Sequence, residues 1–166
     1  MVNKSKLLHW EDVEVDTPRT YGASEVTKDE IFEFARAYDP QPHHVDEEAA
    51  KLSLTKGLCA SGWHTCAIFM RILYDGVLKD AASLGASGID EVKWVKPVRP
   101  GYVLKARSVC TGKRLMNSRE GVGIAQMKHE ILNQDDELLM TMENAQFLAV
   151  RDPAKAKAQA KAEAAR

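Results

Sequence analysis

Between positions 39 and 46 the chain reads Asp39-Pro40-Gln41-Pro42-His43-His44-Val45-Asp46, with two carboxylates, two imidazoles and two prolines in eight residues. A carboxylate and an imidazole that grip the same water can take one proton from it and deliver another, which is general acid–base chemistry. Each proline fixes its own φ near −65° and drives the residue before it, Asp39 or Gln41, toward extended geometry. The stretch therefore turns with little freedom. A straight chain would hold Asp39 and His44 up to about 17 Å apart. Sharing one water requires their polar atoms about 4–5 Å apart, each about 2.8 Å from the water oxygen. Only a folded-back loop does that. A plainer reading stands beside this one: Asp39 ends one helix, Asp46 caps the next, and the histidines are solvated.

The elements on either side must hold this loop. Upstream, residues 7–26 read as a loose arm followed by a strand near 19–26. Thr27-Lys28-Asp29-Glu30 has the hydroxyl and carboxylate spacing of a capping box. Ile31, Phe34, Ala35 and Tyr38 then recur at helical spacing, which predicts a helix over 28–38 that Pro40 stops. Asp39 falls at its C-terminal lip, where a negative charge gains nothing from the helix dipole, which weakens the capping explanation. Asp46 suits the N-cap of a short helix from Glu47 to about Lys51.

Downstream, residues 53–61 form a loop containing Gly57, and Ser61 can cap a helix that starts at the next residue. Trp63, Cys66, Ala67, Met70, Leu73, Tyr74, Val77 and Leu78 form one apolar stripe, opposite Thr65, Arg71, Asp75 and Lys79. They predict a helix from about 62 to 81, roughly 30 Å long, with Gly76 inside it for close packing and residues 83–88 ending it. Strands are expected over 92–98 and 102–110, then a hairpin of 121–133 with 137–150 around Asn133-Gln134-Asp135-Asp136. From Pro153 an Ala/Lys repeat has no apolar face to dock. The domain is thus 1–152, with a tail of 153–166. One strand, short helices, a long apolar helix and four strands predict an α+β fold, with a curved antiparallel sheet wrapped around the long central helix.

The 166 residues make one domain of ordinary size, 45% hydrophobic and 28% charged. A formal net charge of −1 provides no field to draw nucleic acid or an anionic membrane. No apolar run reaches a membrane span, and no apolar segment comes after the first six residues, so a cytoplasmic protein without a signal peptide is expected. Cys59, Cys66 and Cys110, odd in number and without CxxC spacing, read as reduced thiols rather than zinc ligands. A metal cluster of His43, His44 and Asp46 lacks a fourth ligand, and adjacent histidines point apart in most backbones.

Three stretches resemble the MaoC-like hydratase/dehydratase family of the hot-dog fold. They are Phe34-Ala35-Arg36-Ala37-Tyr38-Asp39-Pro40-Gln41-Pro42-His43-His44-Val45-Asp46, Ser61-Gly62-Trp63-His64-Thr65 and Lys96-Pro97-Val98-Arg99-Pro100-Gly101. The similarity covers about residues 12–150. It implies that Asp39 and His44 are the catalytic pair, matching the family's Asp-x-Asn-Pro-x-His element. It also implies that Gly62 and Ser61, at the start of the long helix, form the oxyanion and thioester-binding site, with the thioester carbonyl received on the Gly62 backbone N–H. The implied reaction is reversible hydration of trans-2-enoyl thioesters, of CoA or acyl carrier protein, to (R)-3-hydroxyacyl products by a homodimer or higher oligomer without metal or cofactor. Gln41 stands where Asn is usual, Ser61-Gly62 where His-Gly is common, Met70 where some members have Ser, and Tyr102 where Asp often follows Gly. The first three of these departures bear on substrate choice.

Asp39 is read as the base and His44 as its partner acid/base, an assignment the sequence leaves open to exchange, with Gln41 and His64 as possible lining, although packing or the surface suits His64 better. His43 is read as a structural neighbour, Trp63 and Met70 as core, and Lys93, Lys96 and Arg99 as groups that could meet CoA phosphates. Two other functions compete. A hot-dog thioesterase would direct water at the carbonyl and release a thiol; a non-catalytic acyl-thioester-binding subunit, or one inactive half of a heterodimer, would have no need for the Asp39–His44 pair.

Overall fold

The computed structural model describes residues 7–164. Its first strand, β1 (Arg19–Glu25), leads into α1 (Lys28–Tyr38) through the expected capping box. The Thr27 hydroxyl accepts from the Glu30 amide at 3.2 Å, and the Glu30 carboxylate accepts from the Thr27 amide at 3.0 Å. Two short helices come next, α2 (Pro42–Val45) and α3 (Glu47–Leu52), then the central helix α4 (Gly62–Gly76).

α4 ends five residues before its predicted end, and a 3-10 turn takes up Leu78–Asp80. Gly76 is the reason. A Cβ there would lie 2.7 Å from Tyr21 Cβ, so the glycine lets the helix end press against β1 and terminates it in doing so. The close-packing reading of Gly76 holds; its interior placement does not. The apolar stripe also needs correction. The buried face is Thr65, Phe69, Ile72 and Leu73, whereas Trp63, Met70 and Tyr74 stay exposed. α4 is apolar nearly all round, so periodicity alone could not choose the face that meets the sheet.

That sheet has six antiparallel strands in the order β1-β4-β5-β6-β2, with β3 also pairing with β6. The strands after α4 are β2 (Ser83–Ala86), β3 (Glu91–Trp94), β4 (Val103–Leu115), β5 (Val122–Leu132) and β6 (Leu138–Ala149). β2 was not expected, since its four exposed residues have no alternation to read. β3 and β2 lie one after the other along β6, opposite Met140–Glu143 and Gln146–Leu148. The β5–β6 hairpin closes at Leu132 opposite Leu138, where the Asn133 side-chain oxygen accepts from the Asp135 and Glu137 amides.

Alternation places Leu104, Ala106 and Ser108 of β4, His129 and Ile131 of β5, and Met140 and Met142 of β6 on the face under α4. The core lies between that face and Phe69, Ile72 and Leu73. The expected α+β wrapping of helix by sheet is what forms. The N-terminal arm is less loose than expected, because Trp10 is buried and donates to the Ile124 carbonyl at 3.2 Å. The Ala/Lys segment forms α5 (Pro153–Ala164), and Ala156 is buried beside Trp10 and Val150. One small residue thus docks a segment expected to have no docking face. Among the described residues, no helix is long and apolar enough to cross a membrane.

Candidate active site

The prolines shape the site. With Pro42 at its first position, α2 is a single turn in which the His44 amide donates to the Gln41 carbonyl at 2.8 Å. This folds the loop back and leaves His44 Nε2 3.6 Å from Asp39 Oδ2. The separation is shorter than the 4–5 Å expected for two groups sharing a water, and too long for a direct hydrogen bond. A water 2.8 Å from both would be gripped at an angle of about 80°, tighter than tetrahedral.

Three consecutive residues hold the pair from behind. The Cys59 carbonyl lies 2.8 Å from His44 Nδ1, and the Ala60 amide donates to the Val98 carbonyl at 2.9 Å. The Ser61 hydroxyl donates to Asp39 Oδ2 at 2.6 Å while accepting from the Trp63 amide at 3.2 Å. Gln41 Nε2 donates to Asp39 Oδ1 at 2.8 Å, so the glutamine standing in for Asn still ties the loop down. With Nδ1–H directed at a carbonyl, neutral His44 turns the lone pair of Nε2 toward Asp39.

Electrostatics push the two groups apart. The hydrogen bonds from Ser61 and then Gln41 hold the Asp39 carboxyl below the usual carboxylate range, and the neighbouring imidazoles add to this. Burial opposes charging of His44, but its contacts with the Cys59 side chain and backbone, together with the Asp39 charge, outweigh that and raise it above an ordinary imidazole. The two shifts run in opposite directions and each favours the charged form of its group. Although Asp39 sits at the wrong end of α1 for its charge, its Ser61 bond brings it to the N-terminal end of α4, where a negative charge is favoured.

Asp39, Gln41, His43, His44 and Gly62 line one cleft of ≈ 440 Å³, together with Trp63, Thr65 and the segment from Trp94 to Val98. Gly62 begins α4, and first-turn N–H groups have no partner within the helix, which suits them to an oxygen carrying negative charge. Ser61 is only 1% exposed, with its hydroxyl committed to Asp39 and the Trp63 amide. It positions the pair instead of facing the cleft. His64 does not line the cleft either. One residue further round the helix it turns toward α1, stacked on Phe34 at 4.6 Å and 8% exposed. His43, read as a structural neighbour, does line it.

Two further readings change. Arg99 cannot reach for phosphates, because its guanidinium donates to the carbonyls of Gly57 at 2.6 Å, Leu58 at 3.0 Å and Thr55. It braces the loop leading to Cys59. Trp63 is 60% exposed and meets Trp94 edge-on at 5.5 Å, so it belongs to the cleft mouth and not to the core. Trp94 was missed as a site residue. Its only sequence signal was a large aromatic beside the Lys96-Pro97 stretch of the third motif.

The model of the MaoC like domain matches residues 12–131. Among solved structures, the MaoC-like dehydratase from Rhodospirillum rubrum is 36% identical, with a TM-score of 0.81 over 87% of this chain and 99% of that one. R-Hydratase PhaJ1 from Pseudomonas aeruginosa has a TM-score of 0.66 over 87% of this chain and 86% of its own; at 18% identity it shares the fold alone. The uncharacterized protein YdeM of Bacillus subtilis is 38% identical over 76 residues, and the alignment spans 45% of this chain and about half, 53%, of that relative. The hot-dog architecture expected from the sequence is the one shared with these structures.

Proposed function

Because the chain belongs to the family of the MaoC like domain, we propose that it is a hydro-lyase that adds water reversibly to trans-2-enoyl thioesters, of CoA or acyl carrier protein, giving (R)-3-hydroxyacyl thioesters. The observation that carries this reading is the pair of His44 Nε2 and Asp39 Oδ2, 3.6 Å apart, in the same cleft as Gly62 at the start of α4. Water held by the pair attacks C3 as Asp39 accepts its proton. Negative charge moves to the thioester oxygen, where the Gly62 N–H and the end of the helix stabilise it. A single donor of this kind is worth about 2.7–4 kcal/mol. His44 then delivers a proton to C2, so one hydroxyl and one hydrogen are added and nothing is oxidised or reduced.

The test is a panel of trans-2-enoyl-CoAs of rising chain length, followed by enoyl absorbance alongside a thiol assay. Absorbance should fall without free thiol, and the product should be the (R) isomer. Thiol release would indicate thioester hydrolysis instead, and no loss of absorbance with any chain length, on CoA or on acyl carrier protein, would end the hydratase reading.

We infer a homodimer as the working assembly. The sheet ends in open edges at β1 and along β2 and β3, and Trp63, Met70 and Tyr74 leave an apolar face exposed on α4. Sedimentation should give twice the mass of one chain; a persistent monomer at working concentration would contradict this.

A further inference from the structure

We propose that Trp94, with Trp63 at its edge, is the wall that makes the cleft select unbranched acyl groups next to the thioester carbonyl. This deepens the hydratase reading and rests on it for the orientation of the ligand. Trp94 comes from the end of the short edge strand β3, yet it is tied to the start of α4. Its indole Nε1 donates to the Gly62 carbonyl at 3.0 Å. The ring lies so close that a Cβ built on Gly62 would fall 2.7 Å from Nε1 and 2.8 Å from Cδ2. Glycine is therefore required at position 62 by this indole, independently of any ligand.

The ring nevertheless remains 48% exposed, and Trp63 flanks it at 60%. Neither is absorbed into the core, and both line the cleft that holds Asp39 and His44. A carbonyl oxygen received by the Gly62 N–H brings its own C2 into the space between the indole and the Asp39–His44 pair. A flat, unbranched enoyl group can lie along that wall. A methyl branch on C2 collides either with the ring or with the pair. The indole is held by a hydrogen bond to helix backbone and by contact with Gly62, so it cannot swing aside as a lone surface aromatic would. One added carbon against an apolar wall is worth about 10–200-fold in discrimination.

The experiment compares trans-2-butenoyl-CoA with trans-2-methyl-2-butenoyl-CoA in turnover. It also compares butanoyl-CoA with 2-methylpropanoyl-CoA, which cannot be hydrated, in calorimetric binding. Wild type should prefer the unbranched member at least about tenfold in both. Trp94→Phe keeps a ring and should keep most of the preference. Trp94→Ala should reduce it below about threefold, and Trp94→Val, a good strand former, repeats the test if the alanine loosens the edge strand. A preference that survives in a folded Trp94→Ala or Trp94→Val variant, or one absent from wild type, overturns the proposal. If binding shows the preference and its collapse but no enoyl-CoA is hydrated, the wall stands and the hydratase reading falls. If neither these acyl-CoAs nor the same acyl groups on acyl carrier protein bind at all, both fall.

Discussion

Asp39→Asn and His44→Ala are each expected to lower kcat/KM for hydration of a trans-2-enoyl-CoA by about 10²–10⁴ while leaving the fold intact. Asparagine keeps the shape of the side chain and can still accept from Ser61 or Gln41, but it cannot take a proton from water. Alanine at position 44 removes the imidazole and leaves the Cys59 carbonyl to be hydrated from the cleft. The opposite displacement of the two groups from their ordinary values also predicts the pH profile. Activity should be lost in acid as Asp39 protonates, below the usual carboxylate range, and in base as His44 deprotonates, above the usual imidazole value. Ser61→Ala removes the strongest influence holding Asp39 down, so the acid limb should move to higher pH while the alkaline limb moves little. Near wild-type turnover in Asp39→Asn or His44→Ala, measured beside a matching circular dichroism spectrum, would remove the pair from the mechanism.

The second large effect concerns stability. His129 lies fully buried under Phe69, with ring centroids 4.9 Å apart. Its Nε2 is 3.2 Å from the Asn144 side-chain oxygen and its Nδ1 2.7 Å from the Ser108 hydroxyl. The neutral ring with hydrogen on Nε2 satisfies both, donating to Asn144 and accepting from Ser108. Burial, set against the Asn144 bond, pushes its pKa down from 6.5 to about 4. The unfolded chain therefore binds this proton first as the pH falls. The contribution of keeping His129 neutral is complete above about pH 6.5 and declines as the pH drops toward about 4, by about 3 kcal/mol in all. Denaturant unfolding of wild type and His129→Gln at several values between pH 7 and 4 isolates it, because glutamine can bond to both neighbours without titrating there. His43 and His64, also lowered, and His44, raised, contribute equally to both proteins. Parallel stability curves for the two proteins would assign the acid sensitivity to other groups.

Local signals carried much of this fold and site. The Thr27–Glu30 box, the Pro40 stop and the Asp46 cap each act within four residues, so the sequence displays them directly. The loop geometry was legible for the same reason, since Pro40 and Pro42 constrain Asp39 and Gln41 without help from the rest of the chain. The features that escaped depend on partners distant in sequence. Gly76 marks the end of α4 only once Tyr21 is known to lie against it, 55 positions earlier. Trp63 was read as core because it is large and apolar, but exposure is decided by which face of an all-round apolar helix meets the sheet. Arg99 read as a cation that could meet CoA phosphates, but the carbonyls of Thr55, Gly57 and Leu58 claim it across more than 40 residues. Trp94 is the clearest case, since its bond to Gly62 joins an edge strand to a helix start 32 positions away.

The short strip from Cys59 to Ser61 touches His44 at one end and Asp39 at the other, while its middle amide is fastened to Val98. Acid and base thus share one jig. Thermal wandering that displaces the strip carries both side chains in step, so their mutual spacing is insulated from motions that would blur their aim at anything lying in the cleft. The alignment most at risk is that of the pair to its guest, not that of the pair to itself.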